Sequence, residues 1–523
     1  MTKYSEEELN NLNKEDLVKL LLETQNEYFR LAEQNTINVM NRFSRSSEKM
    51  EIEGQLSFNE AEAEVNYVAK EPEIDEVITV AAHKRKAGKR KKDLEGIESE
   101  VIDLTLSDEK LKEIFGDKGY KCLPDEVYKR LNYQPAKVNV LEYHVHVYAG
   151  KDNETIVRAD RPVDLLRNSI VTPSLLSAII NNKYVNAMPL YRTEQEMKRN
   201  DINISRQTMA NWINICSDKY AKLIYKKIRE KVLEGNIIQA DETPVIVNKD
   251  GRPAGSKSYM WVYRTGQYNK DKPAILYEYQ KTRKAEHPEK FLKNFKGYLV
   301  CDGYQAYHKI DGDRDDIKVA GCWTHLRRRF ENVVKSASGP DKERIKESFA
   351  YRALRKVSKI YHIEEKFKDS TAEERLKNRS ENIRPLVEDF FAWIHENEGK
   401  ILKNSETGKG FEYAINQEQY LNTFLENGDI PIDNNAAEQS IRPFCIGKKN
   451  WVMIDTENGA DSSAILYSIA ETAKANNLKP YEYFKLLFTE IPKHVYDSDQ
   501  SYLDHLLPWS ADLPDECRKK LYI

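Results

Sequence analysis

Cysteine is scarce and scattered: six residues in 523, at positions 122, 216, 301, 322, 445 and 517, with no Cys-x-x-Cys pair. That excludes a disulfide framework and a zinc ribbon, and it suits a reducing compartment. Long apolar runs are missing as well. No stretch reaches the roughly 18 apolar residues that a membrane-crossing helix needs, so no membrane partner is expected. The opening segment, Met1–Leu17, is acidic and polar and lacks the apolar core of a signal peptide. Nor does one sign of charge dominate, since 82 Lys and Arg against 85 Asp and Glu leave a net charge of −3. Bulk electrostatics therefore do not announce a nucleic-acid binder, and any such contact has to come from local basic patches. What is present is length and polarity. The chain is too long for one core, and 32% charged residues with a mean hydropathy of −0.73 fit a soluble protein of several domains.

At the N-terminus, Ser5-Glu-Glu-Glu8 forms a capping-box pattern and Asn13 is placed to cap a following helix. Leu17, Leu21, Thr24, Tyr28, Leu31 and Asn35 then recur in steps of four and three. This is a coiled-coil seam with Asn35 as polar register-setter, or, being short, the face of a packed amphipathic helix. Residues 44–110 read as a linker. An acidic part (Glu60, Glu62, Glu64, Glu71, Glu73, Asp75, Glu76) precedes seven cations in the ten residues 83–92: Lys84, Arg85, Lys86, Lys89, Arg90, Lys91 and Lys92. Such a run attracts phosphates through counterion release without reading sequence. The plain alternative is a solvated charge block. DNA contact is preferred because the chain downstream carries a helix pair and acidic strands suited to nucleic acid.

Residues 137–160 alternate in β fashion, with His144 and His146 on one strand face and Cys122 upstream. Two histidines at i, i+2 suit a metal, but no second ligand pair is near, so a half-exposed strand is the preferred reading. Thr172-Pro173 is a helix start, cap followed by proline. Two short helices come next, Leu190–Arg199 and one opening at Ser205, separated by the polar turn Asn200–Asn203. Met209, Trp212 and Ile213 give the later helix its apolar face, while Arg206, Gln207, Thr208 and Asn211 point away. Hydrogen-bonding side chains at the exposed start of a second helix suit the major groove; an ordinary helical hairpin has the same pattern.

From residue 236 the pattern turns to strands. Asn236–Val247, Ser258–Tyr263 and Pro273–Tyr279 read as a three-stranded meander. Gly297–Tyr304 is a short buried strand ending in Asp302-Gly303, and Lys318–Cys322 is a fifth strand that runs into a basic helix, Trp323–Phe330. Asp241 lies in an otherwise apolar run. A buried carboxylate is costly unless paired or bound to a cation. Alone, Asp241 is a cap for Thr243 and Asp302 a turn residue; together on one α/β unit they resemble ligands of a hard cation such as Mg2+. The third carboxylate is sought in Pro431–Pro443, where Asp433 or Asn434 caps a helix bearing Glu438 and Arg442 at i, i+4. The alternative there is an exposed ion pair. Two metals so held would serve an in-line phosphoryl displacement without a covalent protein nucleophile.

On these residues the chain closely resembles transposases of the insertion sequence 66 family, the large DDE-type subunit encoded by those bacterial elements. The matching segments, in order, are Asn41–Lys49, Phe58–Ala61, Ile204–Trp212, Asp241–Pro244, Cys301–Tyr304, Gly321–Phe330, Asp433–Glu438, Ile441–Pro443, Gly447–Trp451 and His505–Trp509. Any one is weak, and the ordered set is specific. The resemblance implies an α/β fold: an RNase H-like catalytic domain with a helical insertion, mainly helical N-terminal DNA-binding modules and a helical C-terminal region. Its acidic triad is Asp241, Asp302 and Glu438, serving as catalytic residues and as ligands of two Mg2+, with Mn2+ as substitute. The family's Cys-x-x-His element is matched by Cys322 and His325, near the site and facing DNA. Zinc is not expected on that pair, for want of partner ligands. Arg442, Lys448 and Lys449 are expected to hold phosphate, although surface solvation accounts equally for the lysines.

The chain then divides into an N-terminal helix (1–43), a linker (44–110), a small β module (111–165), a helix-turn-helix region (166–234), the first part of the catalytic core (235–335), a helical insertion (336–429), the core helix carrying Glu438 (430–455) and a C-terminal helical region (456–523). Leu354, Val357, Tyr361, Phe390 and Trp393 recur at helical spacing in the insertion. One departure matters: relatives often carry a cysteine-rich zinc segment before the helix-turn-helix, and here 107–158 holds only Cys122, so structural zinc is not expected. Partners implied are transposon ends and target DNA, further copies of the chain on that DNA, and accessory proteins of the same element. The expected location is the bacterial cytoplasm, at the nucleoid. Two other readings stand beside transposition: a catalytically idle, domesticated DNA-binding protein on the same fold, and a plain RNase H-like nuclease.

Overall fold

Alternating and apolar strands in the middle of the chain organise the fold in the computed structural model, which describes residues 13–22, 24, 31, 138–149, 156–253, 255–336 and 345–520. The described residues fall into two units, one built on 164–519 with the N-terminal helical residues, the other holding 138–149, 156–163 and Lys520. The basic run 83–92, the Ser5–Glu8 box, Tyr28, Asn35, Cys122 and the motifs Asn41–Lys49 and Phe58–Ala61 lie outside the described residues.

Asn13 caps the N-terminal helix as its sequence implies, Oδ1 accepting from the Asp16 N–H at 2.8 Å. Leu17, Leu21 and Leu31 of the seam are exposed at 39%, 68% and 50%. In the smaller unit the β reading narrows to two three-residue strands, β1 (Val147–Ala149) and β2 (Ile156–Arg158), paired antiparallel. His144 and His146 fall just before β1 and are exposed, and His144 Nε2 lies 3.1 Å from Glu142 Oε1.

The larger unit is built on one mixed sheet. Its strands are β3 (Ile237–Lys249), β4 (Lys257–Thr265), β5 (Ile275–Gln280), β6 (Gly297–Cys301) and β7 (Ile317–Gly321), in the order β5-β4-β3-β6-β7. The meander β3-β4-β5 is antiparallel, while β6 joins β3 and β7 joins β6 in parallel. An unpredicted strand, β8 (Ile454–Thr456), pairs with the far end of β3 at Val247 and Lys249. It is too short, and too polar at Asp455, to stand out in the sequence.

Before the sheet come α1 (Pro173–Ile180), α2 (Leu190–Arg199), α3 (Arg206–Cys216) and α4 (Lys222–Glu234). Thr172 caps α1 and Ser205 caps α3, each side chain accepting a main-chain N–H three residues on, at 3.2 and 3.1 Å. Between strands lie α5 (Glu286–Phe291) and α6 (Gln305–Asp313). After β7, α7 (Trp323–Ser336) leads into the insertion, whose helices are α8 (Phe349–Glu365), α9 (Ala372–Asn378), α10 (Arg384–Asn397) and α11 (Glu406–Asn422). Then come α12 (Asn435–Trp451), α13 (Glu457–Ala475) and α14 (Pro480–Glu490).

Two apolar cores result. One joins α1, α3 and α4 with the sheet, α12, α13 and α14; the other joins Ile237, Val300 and Ala320 of the sheet to α7 and the insertion. Trp323 anchors the second. It is fully buried among Phe390, Phe391 and Phe424, and its Nε1 donates to the Leu421 carbonyl at 2.8 Å. The insertion is thus fastened to the helix that carries His325.

Candidate active site

Strand alternation sends Gln239, Asp241 and Thr243 to the same face of β3. That face meets α12. Gln239 Nε2 lies 3.4 Å from Asn434 Oδ1, and Lys448 Nζ donates to Thr243 Oγ1 at 3.2 Å and to the Pro244 carbonyl at 2.7 Å. Asp241 therefore points toward the helix bearing Glu438. β3 and β6 are in parallel register with Gln239 opposite Val300, and two residues further along each chain stand Asp241 and Asp302. Asp302 leaves the end of β6 and closes a turn, its Oδ1 accepting from the Tyr304 N–H at 3.1 Å.

The oxygens of Asp241, Asp302 and Glu438 do not all come within 4.8 Å of one another among the described residues, yet their charges act on one another. Burial raises the Asp241 carboxyl well above the usual range, the neighbouring Glu242 raises it further, and the charges of Asp302 and Glu438 add to both. One main-chain bond, from the Glu242 N–H at 2.9 Å, works the other way.

Glu438 lies in the first turn of α12. Its Oε2 accepts from Arg328 at 2.9 Å, and its Oε1 is 3.7 Å from His325 Nδ1. Both Oε1 and that Nδ1 are buried atoms with no hydrogen-bond partner. Arg442, the i+4 residue of the alternative ion-pair reading, is exposed, and Arg328, from the basic helix Trp323–Phe330, pairs with Glu438. Cys322 is fully buried, burial pushes its thiol up, and its Sγ accepts from the Asn434 N–H at 3.2 Å. Cys322, His325 and Glu438 have ligand atoms all within 4.8 Å of one another. The sequence offers no partner beside Cys322 and His325; Glu438 of α12, more than a hundred residues along the chain, is the third group that the fold brings within reach of both.

Of the two residues expected to cap α12, Asn434 holds the cap position without a side-chain capping bond, and Asp433, one residue earlier, accepts from the Asn435 N–H at 3.1 Å. Burial raises the Asp433 carboxyl, which also accepts from Thr324 and Tyr361 at 3.2 and 3.3 Å. Asn434 Nδ2 instead donates to the Ala240 carbonyl at 2.7 Å.

Glu242 carried no signal of its own beside Asp241. Its side chain is 2% exposed, bonded to Arg283 (Nε at 2.7 Å) and to the Tyr307 hydroxyl at 2.7 Å, and Arg283 lies flat on the Tyr304 ring at 3.7 Å. Burial and the charge of Asp302 raise its carboxyl, against the pull of Tyr307 and Arg283.

Of the residues expected on DNA, Arg206, Gln207 and Asn211 are exposed on α3 opposite buried Met209, Trp212 and Ile213. Thr208 is half-buried and its hydroxyl is 2.9 Å from that of Ser205, so it belongs to the cap rather than to the free face. Lys449 is exposed, whereas Lys448 is tied to β3. No helix among the described residues is long and apolar enough to cross a membrane.

Comparison with known proteins gives the same direction. The family model described as "Transposase IS66 family" matches residues 168–462, and "IS66 C-terminal element" matches 468–509. Similar curated proteins include two of Sinorhizobium fredii (strain NBRC 101917 / NGR234), both described as uncharacterized. One, y4qI, is 28% identical over 391 residues, covering 73% of this chain and 70% of that protein. The other, y4hP, is 24% identical over 395 residues, covering 74% and 71%. The larger family match spans more than half of the chain, from α1 through α12, and takes in Asp241, Asp302 and Glu438; on it, the chain belongs to the IS66 family of insertion-sequence transposases.

Proposed function

We propose that this transposase cleaves DNA strands at the inverted terminal repeats of its element and joins them to target DNA, on an RNase H-like core whose acidic triad is Asp241, Asp302 and Glu438. The sheet order, three antiparallel strands followed by two parallel ones, supports the RNase H-like reading. The observation that carries the catalytic reading is the parallel register of β3 and β6, which sets Asp241 and Asp302 on neighbouring chains, with the helix of Glu438 bonded to Ala240 through Asn434; the raised Asp241 carboxyl agrees with it. Carboxylates that repel one another in a partly closed site need a cation, and an all-oxygen donor set suits Mg2+ or Mn2+.

Two such ions, when bound, activate the attacking oxygen and stabilise the leaving one. The chain's own residues do the positioning. Asp241 stands within β3 and Asp302 just past the end of the neighbouring β6, and Arg328 holds one oxygen of Glu438, leaving Oε1 free to turn to a ligand. Arg442, Lys448 and Lys449 line the helix beyond Glu438 and supply positive charge for the phosphates, while Arg206, Gln207 and Asn211 on α3 and the basic run 83–92 provide further DNA contacts. Further copies of the chain and accessory proteins of the element complete the working assembly in this reading.

The test is nicking of duplex DNA carrying the element's terminal repeats, with and without Mg2+, by wild type and by Asp241→Asn, Asp302→Asn and Glu438→Gln. Metal-dependent nicking lost in all three, with DNA binding retained, is the expected result. Binding without nicking by the wild type would instead identify an idle DNA-binding protein.

A further inference from the structure

We propose that Cys322, His325 and Glu438 form a second metal site, selective for a zinc-like divalent ion, and that occupation of this site withdraws Glu438 from the acidic triad. The proposal rests on the triad reading only for its consequence; the site itself rests on geometry. Cys322 and His325 are three residues apart at the start of α7, so one helical turn stacks their side chains on one side. Glu438 arrives from α12, which Asn434 pins to the strand beside Asp241. The three ligand atoms lie within 4.8 Å of one another, and His325 Nδ1 is already 3.7 Å from Glu438 Oε1.

A four-coordinate zinc with bonds of about 2.0–2.3 Å sets its ligand atoms roughly 3.3–3.8 Å apart. The His–Glu edge of the triangle meets that spacing, and the sulfur has about an ångström at most to close. The fourth position is left to water, as in open zinc sites. The two atoms that face each other, His325 Nδ1 and Glu438 Oε1, are both buried and both without a hydrogen-bond partner. Orphaned groups of this kind are costly unless something fills the gap between them.

Burial and the charges of Asp433 and Glu438 hold the free Cys322 thiol protonated, so the proton leaves only as the ion binds, and main-chain donors are in place for the sulfur that results. The N–H of Asn434 donates to Cys322 Sγ at 3.2 Å, the N–H of His325 also bonds the sulfur, and the start of α7 directs its positive end there. Such outer bonds orient first ligands and stabilise their charge. Arg328 on Oε2 leaves Oε1 as the oxygen available to the ion. A sulfur–nitrogen–oxygen set selects zinc-like ions over Mg2+, which prefers all-oxygen octahedra. One carboxylate then has two claimants, and zinc inhibits by competition for it.

The experiment uses Co2+ as a spectroscopic probe on the full chain with its thiols kept reduced. Expected is a thiolate-to-cobalt charge-transfer band saturating at one ion per chain, with the intense visible bands of a four-coordinate ion, bleached by Zn2+. Cys322→Ser removes the charge-transfer band. His325→Gln, which keeps the sulfur, weakens Co2+ binding by roughly tenfold or more, since loss of an outer contact alone costs about 10–100-fold. Asp241→Asn keeps the band. Zn2+ added at saturating Mg2+ slows nicking by wild type more than by His325→Gln, each relative to its own zinc-free rate. A folded wild type with no charge-transfer band, or a band that survives Cys322→Ser, overturns the site. If the band is absent while Glu438→Gln abolishes nicking, the zinc site fails and the triad stands; if Co2+ binding needs Glu438 and nicking does not, the triad fails and the zinc site stands.

Discussion

Asn434 reaches across from the cap of α12 and donates its side-chain amide to the carbonyl of Ala240 at 2.7 Å, one residue before Asp241. The helix holding one carboxylate of the proposed triad is therefore bonded to the strand holding another, at the position where both are needed. Asn434→Ala removes that donor and leaves a buried carbonyl unsatisfied, costing about 1–3 kcal/mol. The expected outcome is a lower midpoint in chemical denaturation and a fall in nicking rate larger than any loss of DNA affinity. Unchanged nicking in a measurably destabilised variant would mean that the bond serves stability alone.

The Glu242–Arg283 pair gives a second expectation. Glu242 is buried, and removing its cation leaves the Tyr307 hydroxyl as its remaining side-chain donor. Breaking a buried pair costs about 3–5 kcal/mol; because the Arg283 side chain is itself 39% exposed, Arg283→Ala belongs at the lower end, about 3 kcal/mol. Arg283→Lys recovers part of it. Thermal denaturation of both variants checks the order, and equal stability of Arg283→Ala and wild type would refute it.

Asp241 gives the pH dependence. Its carboxyl is raised in the folded protein, chiefly by burial and then by Glu242, with Asp302 and Glu438 adding. A raised folded value means that the folded state holds the proton more tightly than the unfolded chain. The associated stability is fully present below the unfolded carboxylate value and is lost as pH rises through the raised one. Without divalent metal, stability therefore declines over that window. Added Mg2+ restores it at neutral pH and has little effect at acid pH, where the carboxyl keeps its proton. Asp241→Asn flattens both trends. Melting curves at a series of pH values, with Mg2+ or with a chelator, check this; a metal-independent rise in stability through the window would contradict it.

Within the insertion, Arg379 is fully buried and donates to Glu364, to the Phe424 carbonyl and to the Asn427 carbonyl, the last two at 2.8 Å. Arg379→Ala strands the Glu364 carboxylate and two carbonyls, at about 3–5 kcal/mol. Since Asn427 lies on the segment leading to Asp433 and Glu438, the same change is expected to lower nicking while leaving affinity for DNA unchanged. Limited proteolysis locates the weakened region, and cleavage elsewhere than around residues 366–434 would count against the assignment.

Much of this architecture is legible residue by residue. Thr172 and Ser205 announce α1 and α3 because a short polar side chain satisfying a free N–H is a local event. The five main strands follow from apolar runs and alternation between residues 237 and 321, and the helical spacing of Leu354, Val357 and Phe390 marks the insertion. Asp241 and Asp302 stand out because carboxylates in or beside apolar strands are expensive, whereas Glu438 is singled out by the resemblance to the family. The remainder is not legible for equally physical reasons. Glu242 beside Asp241 looks like any second acid until strand alternation turns it to the opposite face, against Tyr307. Arg328 is one of three consecutive arginines, and only the angle between α7 and α12 selects it.

The sequence by itself determined which segments are strands and helices, where the helices begin, and which family's ordered motifs the chain carries, because all of these depend on neighbours a few residues apart. Only the tertiary structure decided which charges meet. Arg328 and Glu438 are 110 residues apart, and Ala240 and Asn434 are 194 apart. Their meeting depends on how two cores pack against one sheet, and no local pattern encodes that packing. The same long-range closure brought Glu438 to Cys322 and His325.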